Sequence, residues 1–118
     1  MKLLTKALRK KLPPLYKTEN ENDPLVICKF FLPNSHWTWY ATEFDGKDTF
    51  FGYVIGDFPE LGYFTLSELE ELRAPLTLCM EGKCQTYSQA VKVERDLYFE
   101  PCPLSKVMQN YKEKGYAI

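Results

Sequence analysis

Hydrophobic positions follow two different periods along this chain. Leu4, Leu8 and Leu12 recur at helical spacing behind Thr5, whose hydroxyl can cap a first turn. Pro13 and Pro14 end that helix, because a proline forces the residue before it out of helical geometry. After a polar loop at 18–24 the pattern becomes strand-like. Residues 25–31 read as a mostly buried strand, and Pro33-Asn34-Ser35 as a turn. Residues 37–44 alternate, with Trp37, Trp39 and Ala41 on one face and Thr38, Tyr40 and Thr42 on the other. Asp45-Gly46 marks a turn. Residues 50–55 form a third strand, in which Gly52 implies a bulge or a closely packed ring. Residues 62–64 give a fourth, short strand.

Thr65-Leu66-Ser67-Glu68 then forms a capping box ahead of a stripe of Leu66, Leu69 and Leu72, and Pro75 closes the helix. Glu68, Glu70 and Glu71 suit the positive end of that helix, which argues against reading them as catalytic acids. Beyond Pro75 the signal weakens. Short strands are expected at 76–80 and 91–93 around a polar excursion at 81–88, and another at 97–99. Ser105 is expected to cap a last helix reaching about Tyr111, with 112–118 as a loose tail. Together these predict a single α+β domain over 1–118: a twisted antiparallel sheet of about four to six strands with short flanking helices.

Composition narrows the setting. Aromatic residues make up 15% of the 118 positions, so large rings dominate the expected core. No apolar run approaches the roughly 20 residues that span a bilayer, and the first residues are too polar for a signal peptide. The expected location is cytoplasmic, where cysteines are thiols or metal ligands before they are disulfides. The formal net charge of −1 hides an asymmetry. Lys2, Lys6, Arg9, Lys10, Lys11 and Lys17 occupy a stretch without acids, which leaves 9 basic and 16 acidic groups, a net −7, on the rest. Such a body disfavours nucleic acid and suits a basic protein surface.

Several motifs carry a family resemblance. Leu3-Leu4-Thr5-Lys6, Pro13-Pro14-Leu15, Trp37-Thr38-Trp39-Tyr40 and the Phe-Phe-Gly-Tyr-Val at 50–54 come first. Glu60-Leu61-Gly62-Tyr63-Phe64 running into Leu66-Ser67-Glu68-Leu69, and the Glu-Arg-Asp-Leu-Tyr-Phe at 94–99 with Pro103-Leu104-Ser105, complete the set. In this order they resemble the bacterial family catalogued as domain of unknown function 2958, typical of plasmids, integrative elements and phages. Small proteins similar to these are linked to inhibition of Cas9-type nucleases. The resemblance therefore implies a non-catalytic, mobile-element interaction protein, an anti-CRISPR inhibitor that occludes a Cas9-type effector. Its alternative is a nucleic-acid-associated accessory protein acting through the basic N-terminal helix. Against the family pattern, residues 78–90 look like a cysteine-bearing insertion, and Cys102 stands where a polar residue is expected.

Three sets of residues are candidates for chemistry. Cys79, Cys84 and Cys102, with His36 or Cys28 completing four ligands, could hold a structural zinc ion; incidental thiols and a disulfide are the competing readings. Cys28, within an apolar strand, is expected in the core. A Cys–His nucleophilic site would have to use His36, the one histidine, and no cysteine, glycine-rich oxyanion loop or nucleophile elbow accompanies it. No enzymatic activity is expected. Trp37, Trp39 and Tyr40 could stack bases, but their charged neighbours Glu43, Asp45, Asp48 and Asp57 are acidic. Glu43, Asp45 and Asp48 with Trp37 and Tyr40 are instead the expected contacts to a basic protein partner.

Overall fold

The structure, a computed structural model, describes residues 2–118. In chain order the elements are α1 (Lys6–Lys11), β1 (Leu25–Val26), β2 (Cys28–Phe31), β3 (Thr38–Phe44), β4 (Thr49–Ile55), β5 (Pro59–Thr65), α2 (Leu66–Glu71), β6 (Arg73–Met80), β7 (Lys83–Lys92), β8 (Glu94–Arg95), β9 (Cys102–Pro103) and α3 (Leu104–Lys114). The expected α+β fold is present. Five strands form a twisted antiparallel sheet in the order β5-β4-β3-β2-β8, and β1 pairs with β9 beside it. Among the described residues no helix is long and apolar enough to cross a membrane.

The sheet is the middle layer, because strand alternation sends apolar side chains to both faces. On one face Cys28, Phe30, Trp39, Ala41, Phe50 and Phe64 pack under Leu3, Leu4 and Leu12 and under Leu66 and Leu69 of α2. Phe50 is the centre of this cluster, 5.5 Å from Phe30, 4.5 Å from Phe44 and 5.1 Å from Phe64. Burial of each such ring stabilises the fold by roughly 1.5–3 kcal/mol. On the other face Val26, Tyr40, Tyr53 and Ile55 meet Cys102 and the Leu104 and Val107 side chains of α3. The aromatic middle of the chain is therefore mostly core, and Cys28 is a core residue as expected.

One irregularity changes the faces. The β3–β4 register shifts between Ala41 and Glu43, so that Ala41 opposes Gly52 and Glu43 opposes Phe51. Uninterrupted alternation would put Glu43 on the face of Trp39 and Ala41; the bulge moves it to the face of Tyr40. Gly52 is the glycine this requires. A Cβ there would lie 1.7 Å from the Tyr40 carbonyl oxygen, so the bulge expected from the sequence sits beside it.

Chain ends and caps depart from the sequence expectations in specific ways. Thr5 and Thr65 do cap α1 and α2, accepting from the Leu8 and Glu68 amides. Helix α3 is capped differently: it begins after Pro103, and the Asp23 carboxylate accepts from both the Ser105 amide and its hydroxyl. Ser105 is thus held by a remote acid and is not itself the cap. Residues 112–118 are not a loose tail. Helix α3 continues to Lys114, Gly115 closes it in a left-handed conformation, and the Tyr40 hydroxyl donates to the Ile118 carbonyl at 3.0 Å. The strand expected at 97–99 is a turn, with Tyr98 93% exposed.

The largest departure follows Pro75. In place of two short strands around a polar excursion, β6 and β7 pair along their lengths as a two-stranded ribbon. Glu81 and Gly82 make its turn at φ 51° and 78°, the left-handed pair that tight hairpins require. Most of the ribbon is exposed on both sides, and the molecule is accordingly elongated, 55 × 33 × 23 Å. One side carries Leu76, Leu78, Met80 and Tyr87. The other carries the Thr77–Thr86 hydroxyl contact at 2.8 Å and a Cys79–Cys84 disulfide.

Candidate functional site

Of the residues expected to meet a partner, the structure brings only Trp37 to the surface as an aromatic contact. Its ring stacks between His36 and Trp39, with centroids 6.2 and 5.8 Å away. It also packs close against Gly56, where a Cβ would come within 2.3 Å of the indole. Trp37 and Trp39 line a groove of about 650 Å³ together with Leu32 and with Leu69 and Leu72 of the α2 segment. Glu68 and Glu71 stand on its rim. Leu72 is more than a third exposed, so the groove has an apolar floor and an acidic edge.

The remaining expected contacts do structural work. Tyr40 is fully buried, and burial raises its phenol pKa well above the ordinary value. Glu43 is 4% exposed. Its carboxylate accepts from the Tyr16 amide at 2.9 Å, the Thr18 amide at 2.8 Å and the Thr18 hydroxyl. It clamps the loop after α1 to the sheet and leaves almost none of its own surface to solvent. Asp45 accepts three amides, from Lys47, Asp48 and Thr49, in the β3–β4 turn, and these bonds hold its pKa below the usual carboxylate value. Asp48 accepts from the Ser67 amide and hydroxyl at the start of α2. For Tyr40 and Glu43 the expectation of a partner contact is therefore corrected. The acids that do rim an open groove, Glu68 and Glu71, carry in the sequence only the signals of a helix start, the capping box for Glu68 and the helix dipole for both. Alternation along one strand carries no sign that a helix from elsewhere in the chain will lie beside Trp37.

The four zinc candidates are not assembled. Cys79 and Cys84 face each other across the ribbon with Cα atoms 4.0 Å apart and are joined as a disulfide. Cys102 is buried in β9, opposite Val26. His36 is in the turn before β3, stacked on Trp37. Among the described residues no group of three or more histidine, cysteine, aspartate or glutamate side chains is placed to hold a metal ion.

The basic N-terminal helix is partly committed. The Arg9 guanidinium donates to the Gly46 carbonyl at 3.3 Å and lies 5.3 Å from the centre of the Phe44 ring. Lys6, Lys10 and Lys11 are exposed.

The chain belongs to the DUF2958 family, whose model, described as a protein of unknown function, matches residues 3–117. No curated protein and no solved structure matches it.

Proposed function

We propose that this DUF2958 member is a non-catalytic interaction protein that occludes a basic protein surface, in its specific form an anti-CRISPR inhibitor of a Cas9-type effector from a mobile element. The observation that carries the reading is the Trp37–Trp39 groove with Glu68 and Glu71 on its rim. Partially exposed tryptophan is a common anchor of protein interfaces, because a large rigid ring buries much area at little entropic cost. Carboxylates at the edge select a cationic partner and speed its approach. The nucleic-acid channel of such an effector is strongly basic, which gives an acidic competitor a physical route to block it. The family resemblance supports the choice of effector, and the groove supports a means of engaging it.

The test is target-DNA cleavage by a guide-loaded Cas9-type nuclease in the presence of rising amounts of this protein. Inhibition is expected, with loss of target-DNA loading. Paired Glu68→Lys and Glu71→Lys substitutions, on exposed side chains, should weaken it by about tenfold or more. Undiminished cleavage at large molar excess overturns the effector assignment. Inhibition that the charge reversal leaves unchanged overturns the groove.

Exposed Lys6, Lys10 and Lys11 favour a second reading, an accessory protein that contacts nucleic acid through α1. It expects a salt-sensitive shift of labelled DNA or RNA by the protein alone, abolished when these three lysines are neutralised. No shift at low salt eliminates it.

A further inference from the structure

The face of the sheet opposite the tryptophan groove holds a second cleft, of about 460 Å³, between the loop after α1, the β4–β5 pair and α3. Its walls are aromatic and apolar: Tyr16, Phe51, Leu61, Tyr63 and Met108. Phe51 and Tyr63 meet edge to face at 5.0 Å, and Tyr63 is more than half exposed, so its ring is open to a ligand. Three carboxylates line the same space, Glu19, Glu21 and Glu43, and no lysine or arginine does.

The chain maintains this arrangement by specific means. The bulge in β3 turns Glu43 onto the face of Phe51 and Tyr63. Its carboxylate then fixes the Tyr16 amide, and Tyr16 is held at φ 70°, a left-handed conformation that a bulky residue adopts only when its surroundings impose it. The Tyr63 phenol is pushed up from its ordinary pKa, first by the neighbouring Tyr16 side chain, then by burial and by the nearby Glu43 and Glu19. Tyr63 lines the same cleft as Tyr16, Glu19 and Glu43.

We infer that this cleft receives an arginine side chain, carried by an extended segment of a partner protein that pairs with the free edge of β5. The chemistry selects a cation, since aromatic faces and carboxylates both attract one. It selects guanidinium over ammonium, because the planar group stacks on a ring while its fork donates to carboxylate. The source follows from topology. Strand β5 is the outer strand of the five-stranded sheet, and its residues 59–61 and 63 are exposed. A strand added there would send alternate side chains to the cleft face, beside Leu61 and Tyr63. This inference requires neither the effector nuclease nor the Trp37 groove.

The probes are the pentapeptide acetyl-Thr-Val-Arg-Val-Thr-amide, the same peptide with citrulline or lysine for arginine, and acetyl-arginine amide. Amide NMR shifts of the full chain on titration report binding. The arginine peptide is expected to shift Tyr16, Gly62 and Tyr63 and to bind about tenfold more tightly than the citrulline peptide, a difference of about 1.4 kcal/mol. The lysine peptide should bind with intermediate affinity. Paired Glu19→Gln and Glu21→Gln substitutions, both on exposed side chains, should reduce arginine-peptide binding severalfold while leaving the spectrum otherwise folded. Equal binding of the citrulline peptide, or no shift at millimolar arginine peptide, overturns the site. Acetyl-arginine amide binding as tightly as the peptide overturns the strand-pairing source and makes the ligand a small cation.

Discussion

Glu43 stands directly across from Phe51 in the β3–β4 pair, one position beyond the bulge that carried it there. From that position its carboxylate collects the Tyr16 and Thr18 amides and the Thr18 hydroxyl. Replacing it with alanine removes a charged acceptor and strands two amides. Glu43→Ala should therefore lower the unfolding free energy by about 2–4 kcal/mol. Chemical denaturation checks this, and amide exchange should accelerate first around Tyr16 and Thr18. Glu43→Gln retains one carbonyl acceptor and should lose roughly half as much.

The same bulge makes Gly52 intolerant of any side chain. A Cβ would overlap backbone, the Tyr40 carbonyl at 1.7 Å, and no flexible side chain can move aside to relieve it. Gly52→Ala should destabilise by about 3 kcal/mol or more, or shift the strand register. By contrast Gly62, its partner on β5, has open space at the Cβ position, and Gly62→Ala should stay within about 1 kcal/mol of the parent. A thermal melt of the pair distinguishes them; equal melting temperatures would remove the bulge from this account.

Much of this fold was readable because its signals are local. Thr5 and Thr65 announce their helices through side chains that bond amides three residues ahead. The strands around Trp39 and Phe50 show dense ring content that only a core accommodates. What could not be read depends on residues far apart in the chain. Asp23 caps Ser105 across 82 positions, and Ile118 reaches back 78 positions to Tyr40, so neither leaves a mark in its own neighbourhood. The ribbon escaped for another reason. Exposed on both sides, β7 needs no alternation of apolar and polar residues, and its pairing is carried by backbone and a tight turn. The candidate grooves were half visible: Trp37 stood out, whereas Leu72, Glu68 and Tyr63 gain meaning only from the elements packed beside them.

Asp23 supplies a pH dependence with a defined sign. Its bonds to the Ser105 hydroxyl and amide hold its carboxyl below the ordinary value of 3.8 in the folded protein. A carboxyl depressed on folding contributes stability that is complete above the unfolded value and is lost as pH falls through the lower folded one. Asp23→Asn should therefore destabilise at pH 7, and the difference from the parent should shrink below about pH 3.8. Urea midpoints at pH 7, 5 and 3 measure it. A difference that persists unchanged at the lowest pH would mean that the carboxylate charge is not what holds α3.

The ribbon is fastened on one side by Cys79–Cys84 and Thr77–Thr86, and it contributes little to the main core. Reduction should act locally. Exchange of ribbon amides between Thr77 and Thr86 should quicken about tenfold or more, because closing so short a loop constrains chiefly the hairpin itself. The global melting temperature should fall by no more than a few degrees. A large global loss on reduction would show that the ribbon is integral to the core.

Thiol counting tests the cysteine assignment as a whole. Cys28 and Cys102 are free and buried, and burial pushes the Cys28 thiol up to about 12 and raises that of Cys102. At pH 8 only about one Cys28 in ten thousand would be thiolate, and the thiolate is the reactive form. The native oxidised protein should therefore give no rapidly reacting thiol with a disulfide reagent. Guanidinium without reductant should reveal two, Cys28 and Cys102, and reduction before unfolding should reveal all four. Four thiols on unfolding without reductant would mean that Cys79 and Cys84 are not paired. Zinc released in that same step, measured with a colorimetric chelator, would then restore the metal as their partner.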